Sequence, residues 1–200
     1  MALKKHPRSS DFLKWFTQNK KHATPLDGIF FRVAGPRHTT AADIVSGIGA
    51  VKAGGRWNPI DEMRMVYLSR EPETALSEAL EHFRYFKLPE SGGLPKVIVS
   101  VAVKLERVLD LTRTDLSGKV PELMAEFLAE DWRAINDRGI ESASQAVGWA
   151  AYTAGLQGLI VPSKPVPNRS NLLVFPEHLS NQARLKVQNA DELDKLGKGP

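Results

Sequence analysis

A chain of 200 residues, 42% apolar and 25% charged, has the composition of one ordinary globular domain and is long enough to bury about 70% of its unfolded surface. It has no cysteine, which excludes disulfide frameworks and thiolate metal sites, and no apolar run approaches the ~20 residues of a membrane span. The net charge of +4 is unevenly placed: residues 1–21 carry +5 and the remainder −1, so the basicity belongs to an N-terminal arm and the near-neutral body argues against direct nucleic-acid binding.

The arm, residues 1–28, is expected to be solvated and dispensable for chemistry. Within it Ser10–Lys20 reads as a short amphipathic helix that docks through Phe12, Leu13, Trp15 and Phe16. No signal-like apolar core precedes it, which points to a cytoplasmic protein. Ile29–Ala34 reads as a strand ended by Gly35-Pro36, and Thr39 or Thr40 is placed to cap a brief helix through Val45. A glycine-rich loop with Gly47, Gly49, Gly54 and Gly55 leads to a second strand at Met63–Ser69. Pro72 suits a first helical position and opens a helix to about Phe86.

Leu88–Pro95 is a loop, and Lys96–Val103 is the clearest buried strand. Pro121–Asp137 reads as one helix, and Ser142–Ala154 as a second, small and apolar, ending at Gly155. Late strands are expected at Gly158–Val161 and Asn171–Phe175, with residues 191–200 a frayed tail. Strands and helices interleave irregularly, which makes the class α+β, with the main domain over 29–190.

Arg56, Tyr67 and Glu78 stand at intervals of eleven in three short motifs: Gly54-Gly55-Arg56-Trp57-Asn58, Val66-Tyr67-Leu68-Ser69 and Ala75-Leu76-Ser77-Glu78. An arginine fork suits a diphosphate, a tyrosine face suits a flat ring, and a fixed carboxylate suits a cationic transition state. The glycines before Arg56 form neither a P-loop nor a dinucleotide fingerprint, because no Gly-Lys-Ser/Thr and no helix follows them in the required register. On a helical wheel Ala75, Leu76, Ala79, Leu80, Phe83 and Phe86 make an apolar stripe; Glu78 flanks it and Glu81 lies nearly opposite, as an ordinary solvated acid. His6, His22, His38, His82 and His178 show no paired metal spacing. Ser163 follows an apolar strand without a nucleophile elbow, so it is a turn residue or a hydrogen-bond donor to a phosphate.

Taken with Phe31-Arg32-Val33, Gly49-Ala50, Val161-Pro162-Ser163 and Asn171-Leu172-Leu173-x-x-Pro176-x-His178, these pieces resemble the RES-domain family of toxins from toxin–antitoxin pairs, over roughly Phe30 to His178. The resemblance implies an ADP-ribosyltransferase-like fold, NAD as substrate, and no permanent cofactor or metal. It implies Glu78, Arg56 and Tyr67 as catalytic residues and Arg32, Arg56, Tyr67 and Ser163 as the binding set, with Ser142, Ser144 and Ser170 as rivals for the serine. Phosphate, water or a protein is the implied ADP-ribose acceptor, and a helix-turn-helix antitoxin the implied partner. A catalytically inactive binding module of the same fold is the alternative.

Overall fold

The computed structural model describes residues 3–36 and 40–197, and six strands set its frame: β1 (Thr24–Ala34), β2 (Val66–Ser69), β3 (Val97–Asp110), β4 (Gly158–Pro162), β5 (Ser170–Val174) and β6 (Arg184–Val187). They run in the order β1-β2-β5-β4-β3-β6, and β1 also pairs with β3 along nearly its whole length, so the first five strands close on themselves. The closure is narrowest between β1 and β2, which meet at Phe31 and Ser69. Among the six described strands, β3 and β4 are the pair that runs parallel.

The helices are α1 (Ser9–Asn19), α2 (Ala41–Ser46), α3 (Ile48–Ala53), α4 (Pro72–Tyr85), α5 (Lys119–Glu122), α6 (Met124–Ala129), α7 (Trp132–Asn136), α8 (Ala143–Thr153) and α9 (Ala190–Gly197). None is long and apolar enough to cross a membrane among the described residues. The class is α+β, as the irregular interleaving implies. Alternation along β5 sends Leu172 and Val174 into one apolar cluster and Leu173 and Phe175 into the other. The first cluster also holds Phe30, Val99, Val101 and Val103, while the second is closed by Phe12 and Phe16 of α1 and the small residues Ala146, Ala150 and Ala151 of α8.

Several elements depart from the sequence reading, each for a local reason. The N-terminal arm keeps its lysines exposed but is anchored to the body. Lys4 exchanges backbone hydrogen bonds with Gly139 and Glu141, and Lys5 bridges Glu62 and Glu141. Glu141 is fully buried, and the Lys5 ammonium, the His6 backbone N–H and the Ser9 hydroxyl are its donors. The boundary at residue 28 also falls inside β1.

The glycine-rich loop contains helix α3, set off from α2 by Gly47 in the left-handed region at φ 69°. Thr40 caps α2 by accepting from the Asp43 N–H; Thr39 and His38 lie outside the described residues. The single helix read over Pro121–Asp137 is three short ones. Its main break is at Glu130, which is extended at ψ 144° while its carboxylate accepts from the Ala143 and Ser144 N–H groups at the start of α8. The tail is not frayed as far as it is described: α9 buries Leu193, and Asp194 accepts from the Ala41 N–H at 2.7 Å.

Candidate active site

Strand ends and the helix after β2 assemble the site. Ser69 closes β2 and pairs in register with Asn171 of β5, which in turn pairs with Val161 of β4, two residues before Ser163. This brings three polar side chains to one end of the sheet. Pro72 starts α4 immediately beyond β2, and Glu78 comes round toward them within two turns. Ser163 Oγ donates to Glu78 Oε1 at 2.7 Å, Asn171 Nδ2 donates to the same oxygen at 2.5 Å, and Asn171 Oδ1 accepts from Ser69 Oγ at 2.6 Å. Burial pushes the Glu78 carboxyl above the usual carboxylate range, and the two hydrogen bonds oppose that shift.

Arg56 reaches the same cavity from a four-residue turn whose ends, Gly55 and Asn58, bond to each other. Gly55 is required there by close approach: a Cβ would lie 2.6 Å from the Tyr67 hydroxyl. That hydroxyl donates to Asn58 Oδ1 at 2.7 Å and accepts from the Trp57 N–H at 3.2 Å, which leaves the tyrosine ring to face the cavity. Burial also raises the phenol's pKa, so it stays protonated. The Arg56 guanidinium donates to the carbonyls of Phe127 at 2.8 Å and Glu130 at 3.2 Å. Arg32, on β1, donates to the Ile44 carbonyl at 2.7 Å. Burial holds both guanidinium pKa values below the ordinary arginine value.

Arg32, Arg56, Tyr67, Glu78 and Asn171 line one cavity of about 250 Å³, together with Trp57, Ser69, Glu81, Trp132, Arg133 and Lys164. Among the described residues none of Arg32, Arg56, Arg133 and Lys164 has a carboxylate within ion-pair distance. Partly buried guanidinium groups held by carbonyls retain their charge for an incoming anion.

The cavity therefore gathers Arg32, Arg56, Tyr67 and Glu78 as the sequence suggests, with two adjustments. Ser163 reaches the site, but its hydroxyl is spent on Glu78 instead of facing an anion. Glu81 is not an ordinary solvated acid; it lines the cavity and pairs with Arg84 at 3.3 Å. Phe86, placed on the apolar stripe by the wheel, is 53% exposed. The rival serines are elsewhere: Ser142 caps α8, Ser144 is buried beside it, and Ser170 lies outside this cavity. His178, the last residue of the matched motif, stacks on Tyr152 at 4.3 Å and donates from Nδ1 to the Leu156 carbonyl at 2.8 Å.

Sequence reasoning gave no role to Asn171, Ser69, Trp132, Arg133 or Lys164. Asn171 carried a usable signal, a polar residue heading an apolar strand. Arg133 did not, since only the fold sandwiches it between the rings of Trp132 at 4.4 Å and Tyr85 at 4.7 Å. Among the described residues no group of three or more His, Asp or Glu side chains is gathered where a metal ion would bind.

A family profile described as the RES domain matches residues 29–194. The "Prs ADP-ribosylating toxin" of a Sphingobium strain is 32% identical over 151 residues, 74% of this chain and 83% of that protein. The "NAD(+) phosphorylase MbcT" of Mycobacterium tuberculosis is 29% identical over 130 residues, 64% of this chain and 65% of that protein. The crystal structure of the M. tuberculosis MbcT–MbcA toxin–antitoxin complex contains a chain similar to this one in fold, with a TM-score of 0.60, 21% identity, and coverage of 92% of this chain and 98% of that one.

Proposed function

The chain belongs to the RES-domain family, and from that footing we propose that it is an NAD-consuming toxin that cleaves the nicotinamide–ribose bond and passes ADP-ribose to phosphate or water. The observation that carries the reading is a partly buried carboxylate, Glu78, in the same cavity as two partly buried guanidiniums, Arg32 and Arg56, that have no carboxylate within ion-pair distance among the described residues.

Breaking the glycosidic bond builds positive charge on the ribose as nicotinamide departs neutral. An ionised Glu78 facing that ribose attracts the developing cation more strongly than the ground state, which lowers the barrier; glycosidases set carboxylates against the same kind of centre. Ser163 and Asn171 fix the carboxylate's direction and favour its ionised form. Arg32 and Arg56 take the diphosphate, and the Tyr67 ring packs on the nicotinamide or its ribose. A cavity of about 250 Å³ receives the reacting end, with Trp132 and Arg133 at its wall for the remainder of the dinucleotide.

Transfer to a protein is the second reading, favoured by the name of the Sphingobium relative. A cognate antitoxin, of helix-turn-helix type, is the proposed partner, because the similar structure is that of a toxin–antitoxin complex. The experiment is incubation of pure protein with NAD, with and without phosphate, products resolved by mass. ADP-ribose 1″-phosphate, free ADP-ribose and a labelled protein distinguish the three acceptors; intact NAD after hours with stoichiometric protein refutes the activity.

A further inference from the structure

The turn that carries Arg56 is held from behind by one buried side chain, Gln145, for which the chemistry above has no use. Gln145 is the third residue of α8 and is fully buried. Its Nε2 donates to the Gly55 carbonyl at 3.0 Å, the Asn58 carbonyl at 3.3 Å and Asn136 Oδ1 at 2.8 Å. Its Oε1 accepts from the Ser142 N–H at 3.1 Å and Asn136 Nδ2 at 2.8 Å. One amide thus ties both ends of the Gly55–Asn58 turn to the start of a buried helix.

A second contact fixes the same turn independently. A Cβ built on Gly148 would lie 1.7 Å from the Trp57 carbonyl oxygen, so α8 rests directly on the backbone one residue past Arg56. The far end of the arginine refers to α8 as well. Its guanidinium donates to the Glu130 carbonyl, and the Glu130 carboxylate accepts from the first N–H groups of α8.

Helix capping does not account for the amide. Ser142 and Gln145 form a capping box, which uses only Oε1, and a glutamate serves that purpose equally well. The nitrogen of Gln145 serves Asn136 and both ends of the turn, none of which the cap requires. We propose that Gln145 is a positioning residue for Arg56: through Nε2 it sets the Gly55–Asn58 turn so that the guanidinium meets the ligand's diphosphate without reorganising. This rests on the reading of Arg56 as an NAD-binding group.

Gln145→Glu keeps the capping oxygen and loses the donor at neutral pH; Gln145→Met removes both and adds no charge. Ser142→Ala removes the cap and leaves the clamp, so it reports the structural role alone. Each variant is measured for Tm, for KM and kcat with NAD at saturating phosphate, and for amide exchange at Gly55 and Asn58, which bond to each other at 2.9 and 3.4 Å. Gln145→Glu and Gln145→Met are expected to speed exchange at those two amides, and to raise KM about tenfold with kcat within about threefold. Ser142→Ala is expected to lower Tm with KM unchanged. An unchanged KM in either folded Gln145 variant overturns the proposal, as does an equal KM rise in Ser142→Ala. A parent that leaves NAD intact refutes the proposed function instead, and the exchange measurement then decides the clamp: unchanged exchange refutes it.

Discussion

Replacing Glu78 with glutamine separates its charge from its anchoring. Oε1 takes both hydrogen bonds, from Ser163 and Asn171, and the Glu78 side chain lines the cavity. A glutamine amide oxygen accepts the same two bonds, so size and direction persist while the negative charge disappears. Losing one preorganised electrostatic contact to a transition state lowers turnover by about 10²–10³, or roughly 3–4 kcal/mol, and KM for NAD should stay within a few-fold. Stability should move the other way. Burial raises the folded-state pKa of Glu78 above its unfolded value, so ionising it opposes folding at every pH above the folded pKa. Glu78→Gln should therefore raise Tm near neutral pH, and the gain should vanish as pH falls below the ordinary carboxylate pKa, where the parent is protonated in both states. Nicotinamide release followed by chromatography gives the first quantity, and scanning calorimetry across pH gives the second. Glu73, exposed on the same helix, is the control; Glu81 is unsuitable because it lines the cavity. Parental turnover in Glu78→Gln, or an equal loss in Glu73→Gln, would remove Glu78 from the reaction.

Arg56→Ala should weaken NAD binding by about 1.5–3 kcal/mol, one to two orders of magnitude in Kd by calorimetry, with Arg56→Lys rescuing only part because ammonium lacks the planar fork. The pH–rate profile should fall on its acid side at a pH above the usual carboxylate value, since turnover needs an ionised Glu78 whose burial raises its pKa; the limb should be missing from Glu78→Gln. Lys5→Ala should cost about 1–3 kcal/mol in denaturant unfolding, because buried Glu141 loses its ammonium partner but keeps the His6 and Ser9 donors. Kinetics of the folded Lys5→Ala fraction should match the parent, and a changed KM would mean that the arm reaches the cavity.

The sequence made legible what periodicity and order control. Valine alternation located the first half of β3, which runs on from Val103 to Asp110, Pro72 located the start of α4, and the small residues of 142–154 located α8. Arg56, Tyr67 and Glu78 were legible because each stands in a short motif whose neighbours build the local geometry, Gly55 and Asn58 above all. What stayed hidden depends on contacts distant in sequence. The arm's net charge suggested solvation, yet Lys5 is placed by a glutamate 136 residues away. The break at Glu130 follows from a cap it provides to another helix, and β6 is only four residues with two basic side chains, a pattern that also fits an exposed loop. Glu81 misled because a wheel distinguishes core from solvent and has no category for a cavity wall.

The arrangement of charge in the cavity has a physical logic of its own. Arg56 and Glu78 share one cavity but no ion pair within 4.0 Å joins them among the described residues. A direct pair would neutralise both, leaving neither the guanidinium for a diphosphate nor the carboxylate for a ribosyl cation. Each is instead held by neutral partners: carbonyls of Phe127 and Glu130 for the arginine, Ser163 and Asn171 for the glutamate. Those partners fix direction without cancelling charge, at the expense of burying groups whose pKa values burial drives toward the neutral form. A ligand carrying an anion and a developing cation at the right separation relieves both groups at once. An anion alone, such as pyrophosphate, relieves only the arginines, so it should bind and raise Tm in Glu78→Gln as much as in the parent. A stabilisation by pyrophosphate that depends on the Glu78 charge would show that the two groups act as a pair after all.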